Sequence, residues 1–312
     1  MVSLKKTNLM DEIETENPQK NLPKWQLIKK TSKILKSNKR LLLFSFYNKL
    51  FRLLIITCIA SPLLVALTQK TTANELVIMA KNFGIDLHNP WFYVVALLLF
   101  WCAHVIAVFF YSALVASTLT YFEGKSLSLM KGFKMAKNVF FQLCLWSIIN
   151  TTLGAVLKIM AIFSPQQNSV FSQTRGNPWR ISIYFVFPII VMEKINPLKA
   201  FHRSLDLLSN TWGDSLQVNF KGGSLLLIFL ILAYTPILIG FKLGGILTIA
   251  TSIGIAIPLI MTVNLFSSTL HLTLCSALYL YATERKVVPP YEEKEMKYAF
   301  ISLKSKSTFL EV

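Results

Sequence analysis

Asn264, Ser268, His271 and Cys275 stand at i, i+4, i+7 and i+11 within one long apolar run, so a helix puts them on a single face. His104 and Tyr111 lie one heptad apart in another apolar run, and Gln142, Trp146 and Asn150 follow at four-residue steps in a third. Polar side chains surrounded by hydrocarbon seek partners, so these groups are expected to face neighbouring helices. Two kinds of chemistry fit such a stripe: hydrogen bonding between helices, or the lining of a path for a solute. The first is preferred, because no acidic residue sits in mid-run to bind or relay a cation. His104 with His271 is too sparse a ligand set for a metal without carboxylate or thiolate support, and neither a metal nor a cofactor is expected.

A second constellation sits at the ends of apolar runs: Glu123, Glu193 and Glu284. A carboxylate at a helix C-terminus opposes the helix dipole, so each calls for a nearby cation such as Lys131 or Lys199. The natural role is a structural collar at a membrane surface, with a proton relay as the alternative. Enzyme signatures are missing: the chain has no Gly-x-Ser-x-Gly, no phosphate-binding Walker loop, no His-Glu-x-x-His and no dinucleotide fingerprint. A non-enzymatic role is the expectation.

Composition says what surrounds these groups. Hydrophobic residues make up 54% of the 312 and charged residues 15%, far from the soluble range, which points to a protein with several membrane passes. The net charge of +17 would suggest nucleic acid in a soluble chain, but here lysines and arginines cluster between apolar runs. Anionic lipid headgroups are therefore the expected partner, and nucleic acid is not. The four cysteines are scattered singly through apolar runs, which suits buried thiols and excludes a disulfide framework. The first forty residues lack an apolar core of signal-peptide length, so the first span is expected to serve as an uncleaved anchor.

Taken in order, residues 1–22 read as a polar cytoplasmic tail, 23–284 as a six-span membrane domain and 285–312 as a charged cytoplasmic tail with a short helix after Pro289-Pro290. From Trp25, Leu27, Ile28, Ile34 and Leu35 oppose Lys29, Lys30, Lys33 and Lys36, which predicts a helix lying on the membrane surface. Met130, Phe133 and Ala136 against Lys131, Lys134 and Lys137 predict a second one. A third opens at Asn196-Pro197, a cap followed by a first-turn proline, with Leu198, Phe201, Leu205 and Leu208 opposite Lys199, His202, Arg203 and Asp206. Spans are expected near 48–68, 90–119, 139–162, 179–192, 222–241 and 258–283. The fourth is short, and the last follows a kink at Gly254 and Pro258. With both termini inside, 24 of the 32 basic residues fall on cytoplasmic segments and five on external ones, as the positive-inside rule requires.

The plan of surface helix, outward span, inward span and glutamate occurs three times. It reads as a tandem triplication, or as what any alternating membrane topology produces.

The run Trp25…Leu41-Leu-Leu-Phe44, Tyr111-Ser-Ala-Leu114…Tyr121-Phe-Glu-Gly124, Pro188…Glu193…Ser204…Thr211-Trp-Gly-Asp214 and Ala277…Tyr281-Ala-Thr-Glu284 resembles a bacterial family of six-span membrane proteins known as a domain of unknown function. The resemblance covers about residues 24–300 and implies an all-α bundle in the bacterial inner membrane. The connector from Pro188 to Glu193 is also similar to one in the membrane domain of some glycerophosphodiester phosphodiesterases. Their catalytic domain has no counterpart here, so no such activity is implied. Membrane organisation or transport is the expected role, with a small-solute or lipid transporter using the polar stripe as the alternative.

Overall fold

The computed structural model describes residues 25–68, 90–163, 182–212, 216–218, 223–297 and 299–302. The expected tail over 1–22 lies outside them. The fold is all-α apart from one short ladder. In order come α1 (Trp25–Ser37), α2 (Leu41–Thr68), α3 (Pro90–Phe122), α4 (Leu129–Asn138), α5 (Phe140–Phe163), α6 (Val186–Glu193) and α7 (Pro197–Trp212). These are followed by β1 (Leu216–Val218), α8 (Gly223–Leu243), α9 (Ile246–Glu284), α10 (Glu293–Lys297) and β2 (Phe300–Ser302). The two strands pair antiparallel, with Gln217 opposite Ile301.

Local chemistry sets several of these boundaries. Ser128 caps α4 by accepting from the Lys131 amide, and Asn196 caps α7 by accepting from the Leu198 amide at 3.1 Å. The start of α6 has no cap of its own. There the Phe185 amide donates to the Ser204 hydroxyl of α7 at 3.2 Å, satisfying a buried donor from a neighbouring element.

The long helices divide in two along their length. On α3, Trp91, Leu97 and Phe100 are exposed, whereas residues 112–120 are buried without a break. On α9, Leu247, Ile255 and Leu259 are exposed, whereas residues 272–281 are buried. α8 packs on α9 but leaves Ile228, Phe229, Leu238 and Phe241 open. The result is a head with a dry core and a set of apolar shafts leading away from it. Tyr47 and Phe51 at the start of α2 stack near Phe110 of α3, and Phe140 at the start of α5 meets Phe109, so these helices all leave from the same level. The core gathers Leu114, Leu119, Leu143, Trp146, Phe185, Ile189 and Leu278, each large side chain contributing about 1.5–3 kcal/mol by leaving water.

Among the described residues, two segments are long and apolar enough to cross a membrane, Leu97–Phe122 and Leu247–Glu284, and Ile228–Leu243 is a shorter apolar helix. Exposed apolar surface on this scale is foreign to a soluble monomer and is consistent with membrane association.

Several expectations change. In place of a fourteen-residue span at 179–192, the described helix α6 has eight residues, about 12 Å of rise, and lies buried against α3 and α7. The run expected to kink at Gly254 and Pro258 is one helix of 39 residues with Pro258 inside it, about 58 Å long and well beyond a bilayer's hydrocarbon. Pro258 lacks the amide that would bond the Gly254 carbonyl, and a Cβ at Gly254 would meet nothing within 4 Å. The surface helices bury faces against the protein as well. In α1, Ile28, Thr31 and Leu35 are covered, partly by Leu270 of α9. In α4 the buried positions are Gly132 and Ala136, and Met130 is 76% exposed. In α7, Ala200, Ser204, Leu207 and Trp212 face inward, and the expected stripe residues Leu198 and Leu205 stay open. Residues 285–300 are no tail: Val288, Tyr291, Met296 and Phe300 are part of the core.

Gly132 is where α4 touches α3. A Cβ there would fall on the Ser117 hydroxyl and the Ala113 carbonyl. Gly132→Ala is expected to destabilise the head by about 1–3 kcal/mol, lowering the melting temperature in detergent; an unchanged melting temperature would mean that α4 does not sit this close.

Candidate functional site

The three glutamates end three similar corners. Glu123 is followed by Gly124 at φ 88, Glu193 by Lys194 at φ 55 and Glu284 by Arg285 at φ 54. Each such left-handed residue closes the preceding helix: the Lys194 amide donates to the Ile190 carbonyl and the Arg285 amide to the Tyr281 carbonyl, both at 3.1 Å. Each corner then leads into a short helix, α4, α7 or α10. The third opens with the Glu295 carboxylate accepting from the Glu292 amide at 2.8 Å, which is half of a capping box.

The expected cation partners differ in detail. Glu123 pairs with Lys125 at 2.7 Å, and Lys131 lines the same cleft without forming the pair. Glu193 lies 3.7 Å from the Arg203 guanidinium, in place of Lys199, and accepts from the Tyr279 hydroxyl at 3.2 Å. Lys199 is exposed. Glu284 forms no ion pair among the described residues, and the Arg285 guanidinium turns instead to the Tyr281 ring at 5.6 Å. Between α3, α4 and α6 opens a cleft of about 590 Å³ lined by Thr120, Glu123, Lys125, Lys131, Lys134 and Asn138 with Met135 and Met192. Three lysines against one carboxylate leave it with a positive balance, suited to an anion.

The polar stripe is brought together only in part. His104 and Asn150 meet at 3.3 Å, joining α3 to α5. Ser268 approaches the Ser45 hydroxyl of α2 at 3.4 Å. Asn264 is exposed and donates to the Ile260 carbonyl of its own helix. His271 is exposed and meets the Tyr184 ring edge-on at 5.3 Å, and the buried Cys275 thiol donates to the Tyr184 carbonyl at 3.0 Å. These residues therefore do not line one path. Sequence reading missed Thr269, which donates to Ser45 at 2.7 Å, and Asn48, one turn beyond Ser45, whose side-chain amide is buried without a partner among the described residues. Ser45 and Asn48 at i, i+3 were the available signal. Among the described residues no group of three metal-ligating side chains occurs.

The C-terminal segment straps this head to α1. Lys30 bridges Glu292 at 2.6 Å and Glu295 at 2.9 Å, Thr31 and Tyr291 share a hydrogen bond of 2.7 Å, and Trp212 donates its indole N–H to the Met296 carbonyl at 3.0 Å. Phe300 packs on the Trp212 ring with centroids 4.7 Å apart.

One family model, described as a family of unknown function (DUF6159), matches residues 91–288, from the first turn of α3 to just beyond the third corner. No curated protein and no solved structure matches the chain.

The strap is pH-sensitive at both extremes. The hydrogen bond and charge of Lys30 hold the Glu292 carboxyl below its usual value. Burial pulls the Lys30 ammonium down, but the bonds and charges of Glu292 and Glu295 outweigh it and leave it raised. Burial pushes the Tyr291 phenol up, against the pull of the Thr31 bond. A lowered carboxyl stabilises above its unfolded value and stops doing so as pH falls. A raised lysine or phenol stabilises below its unfolded value and stops as pH rises. Amide protection over 291–300, corrected for intrinsic exchange, is expected to be level from about pH 5 to about pH 9 and to fall on both sides before the α3 core loosens. Protection falling in step with that core would show that the strap is not a separate unit.

Proposed function

The chain belongs to the family of unknown function DUF6159, and we propose that it is a non-enzymatic integral membrane protein that organises the cytoplasmic face of a bacterial inner membrane. In this reading the shafts of α2, α3, α5, α8 and α9 stand in the bilayer. The head hangs beneath it, and the lysines of α1, α4 and α7 form a collar against anionic headgroups. The observation that carries the reading is the switch along α3 and α9 from exposed apolar residues to a dry core. A water-facing protein would not leave Trp91, Leu97, Leu247 and Ile255 open, and a bilayer makes those positions favourable.

Six crossings with both termini inside agree with the distribution of basic residues. Among the described residues no helix supplies the fourth, because α6 belongs to the head. The extra length of α9 follows from the same arrangement: its first half crosses and its second half forms the head. The three corners with their following helices support a triplicated unit, each ending at the inner surface. The likeness of the Pro188 to Glu193 connector to the membrane domain of glycerophosphodiester phosphodiesterases supports a membrane role and brings no phosphodiester chemistry. A second reading, transport of a small solute or lipid through the bundle, rests on the His104–Asn150 bond between α3 and α5. The exposure of Asn264 and His271 weakens it.

The test is cysteine accessibility in intact cells and inverted vesicles, on a background with the native cysteines replaced. Glu123→Cys and Glu284→Cys are expected to label from the cytoplasmic side alone, and Lys242→Cys from outside alone. Labelling of all three from one side would overturn the arrangement.

A further inference from the structure

At the level where the shafts meet the head, a groove of about 580 Å³ opens between α2, α3, α4 and α5. Its walls are Phe51, Ile106, Phe109, Phe110 and Phe140, with Val105 at the back and Lys137 at the rim. The rings are held by one another: Phe51 packs on Phe110 at 5.8 Å, and Phe109 on Phe140 and on Phe110 at 6.0 Å each. Phe133 of α4 closes one end by packing on Phe109 and Phe110 at 6.1 Å and 5.7 Å. The volume falls in the range of about 300–1,000 Å³ typical of ligand sites.

The geometry points to a site for one anionic phospholipid, an acyl chain lying in the aromatic groove and the phosphate held by Lys137. This deepens the reading above and rests on it. Three observations select this occupant. Lys137 is the one polar side chain on the lining, so the groove offers a partner nothing to hydrogen-bond except at its rim. Lys137 makes no ion pair among the described residues, unlike Lys125 and Lys30, and its ammonium is free to meet an anion. Leu54 of α2 and Phe141 of α5 beside the groove are exposed, so it opens sideways onto the same apolar surface as the shafts. A charge at that rim with its stem on apolar walls is the arrangement by which lysine reaches headgroups from the edge of hydrocarbon. Lys134, one turn back on α4, continues the positive edge into the neighbouring cleft with Glu123 and Lys131.

The experiment uses the full chain in nanodiscs of phosphatidylcholine doped with a few per cent of phosphatidylglycerol carrying a photoreactive diazirine in the acyl chain. A parallel sample carries the same label on phosphatidylcholine. Labelled peptides are then mapped by mass spectrometry. The groove peptides around Ile106 and Phe140 are expected to take up the phosphatidylglycerol label several-fold more than the phosphatidylcholine label. Lys137→Gln is expected to remove that excess, and Ile106→Trp, which fills the groove, to remove groove labelling by both lipids. Labelling of residues 247–259 on α9 should stay the same in every sample, which also reports that each variant is folded. Excess soluble glycerol phosphate should leave the groove label in place; its displacement would mean an anion site without a lipid and would overturn the proposal. Equal labelling by both lipids that Lys137→Gln does not change, or a groove left bare while α9 labels, would overturn it too. Absence of label from α9 as well would overturn the bilayer placement itself.

Discussion

Residues 112–120 of α3 are closed off from solvent on every side, and the remainder of the head is arranged to make that closure. Small side chains allow it: Ala113, Ala116 and Ser117 let neighbouring backbones come close, and Gly132 of α4 answers them. Three of the four hydroxyls in this stretch are kept within the helix or its immediate neighbour, and that of Ser112 is buried without a hydrogen-bond partner among the described residues. Thr118 and Thr120 donate to carbonyls one turn back, and Ser117 donates to the Ser128 carbonyl that begins α4. An open polar group in a dry protein core costs free energy, and these bonds remove that cost for Ser117, Thr118 and Thr120.

The corners after Glu123, Glu193 and Glu284 solve the complementary problem of leaving a buried helix. Each turns the chain through a left-handed residue that completes the last helical turn, and each delivers it into a capped short helix on the outside of the head. Gly124 takes this conformation without strain, whereas Lys194 and Arg285 adopt it at a cost of about 1–3 kcal/mol that the surrounding packing must offset. The glutamate before each turn faces the negative end of its helix, which explains why Glu123 and Glu193 draw a nearby lysine or arginine. These pairs are partly open to solvent, so they orient side chains more than they stabilise the fold.

Much of the helical plan was legible in the sequence because long apolar runs and end signals are local. Asn196-Pro197 marked the start of α7, and the boundaries of α3, α5 and α8 lie within a few residues of the expected spans. What was not legible depends on distant partners. Glu295 sits among charged residues in sequence, yet it is buried because Lys30 reaches it from α1. The spacing of Leu198, Phe201, Leu205 and Leu208 reads as one membrane-facing stripe, yet Leu208 is buried together with Ala200 and Ser204, which are small enough to sit close to the core, and Leu198 and Leu205 are open. Hydropathy also could not separate a helix that crosses from one that is buried in protein, which is why α6 resembled a short span. Of the proposed site, the collar's residue types were readable, and the choice of Lys125 and Arg203 over Lys131 and Lys199 was decided by tertiary geometry.

In the proposed arrangement the outer halves of α3 and α9 lie in lipid and their inner halves in protein. A spin-label scan along α9 in nanodiscs tests it most directly, comparing accessibility to oxygen with accessibility to a polar nickel chelate. Oxygen-dominated accessibility is expected at Ile255 and Leu259, a rise of the polar reagent at Asn264 and His271, and low accessibility to both at Leu274 and Leu278. Polar access at Ile255 equal to that at His271 would contradict it.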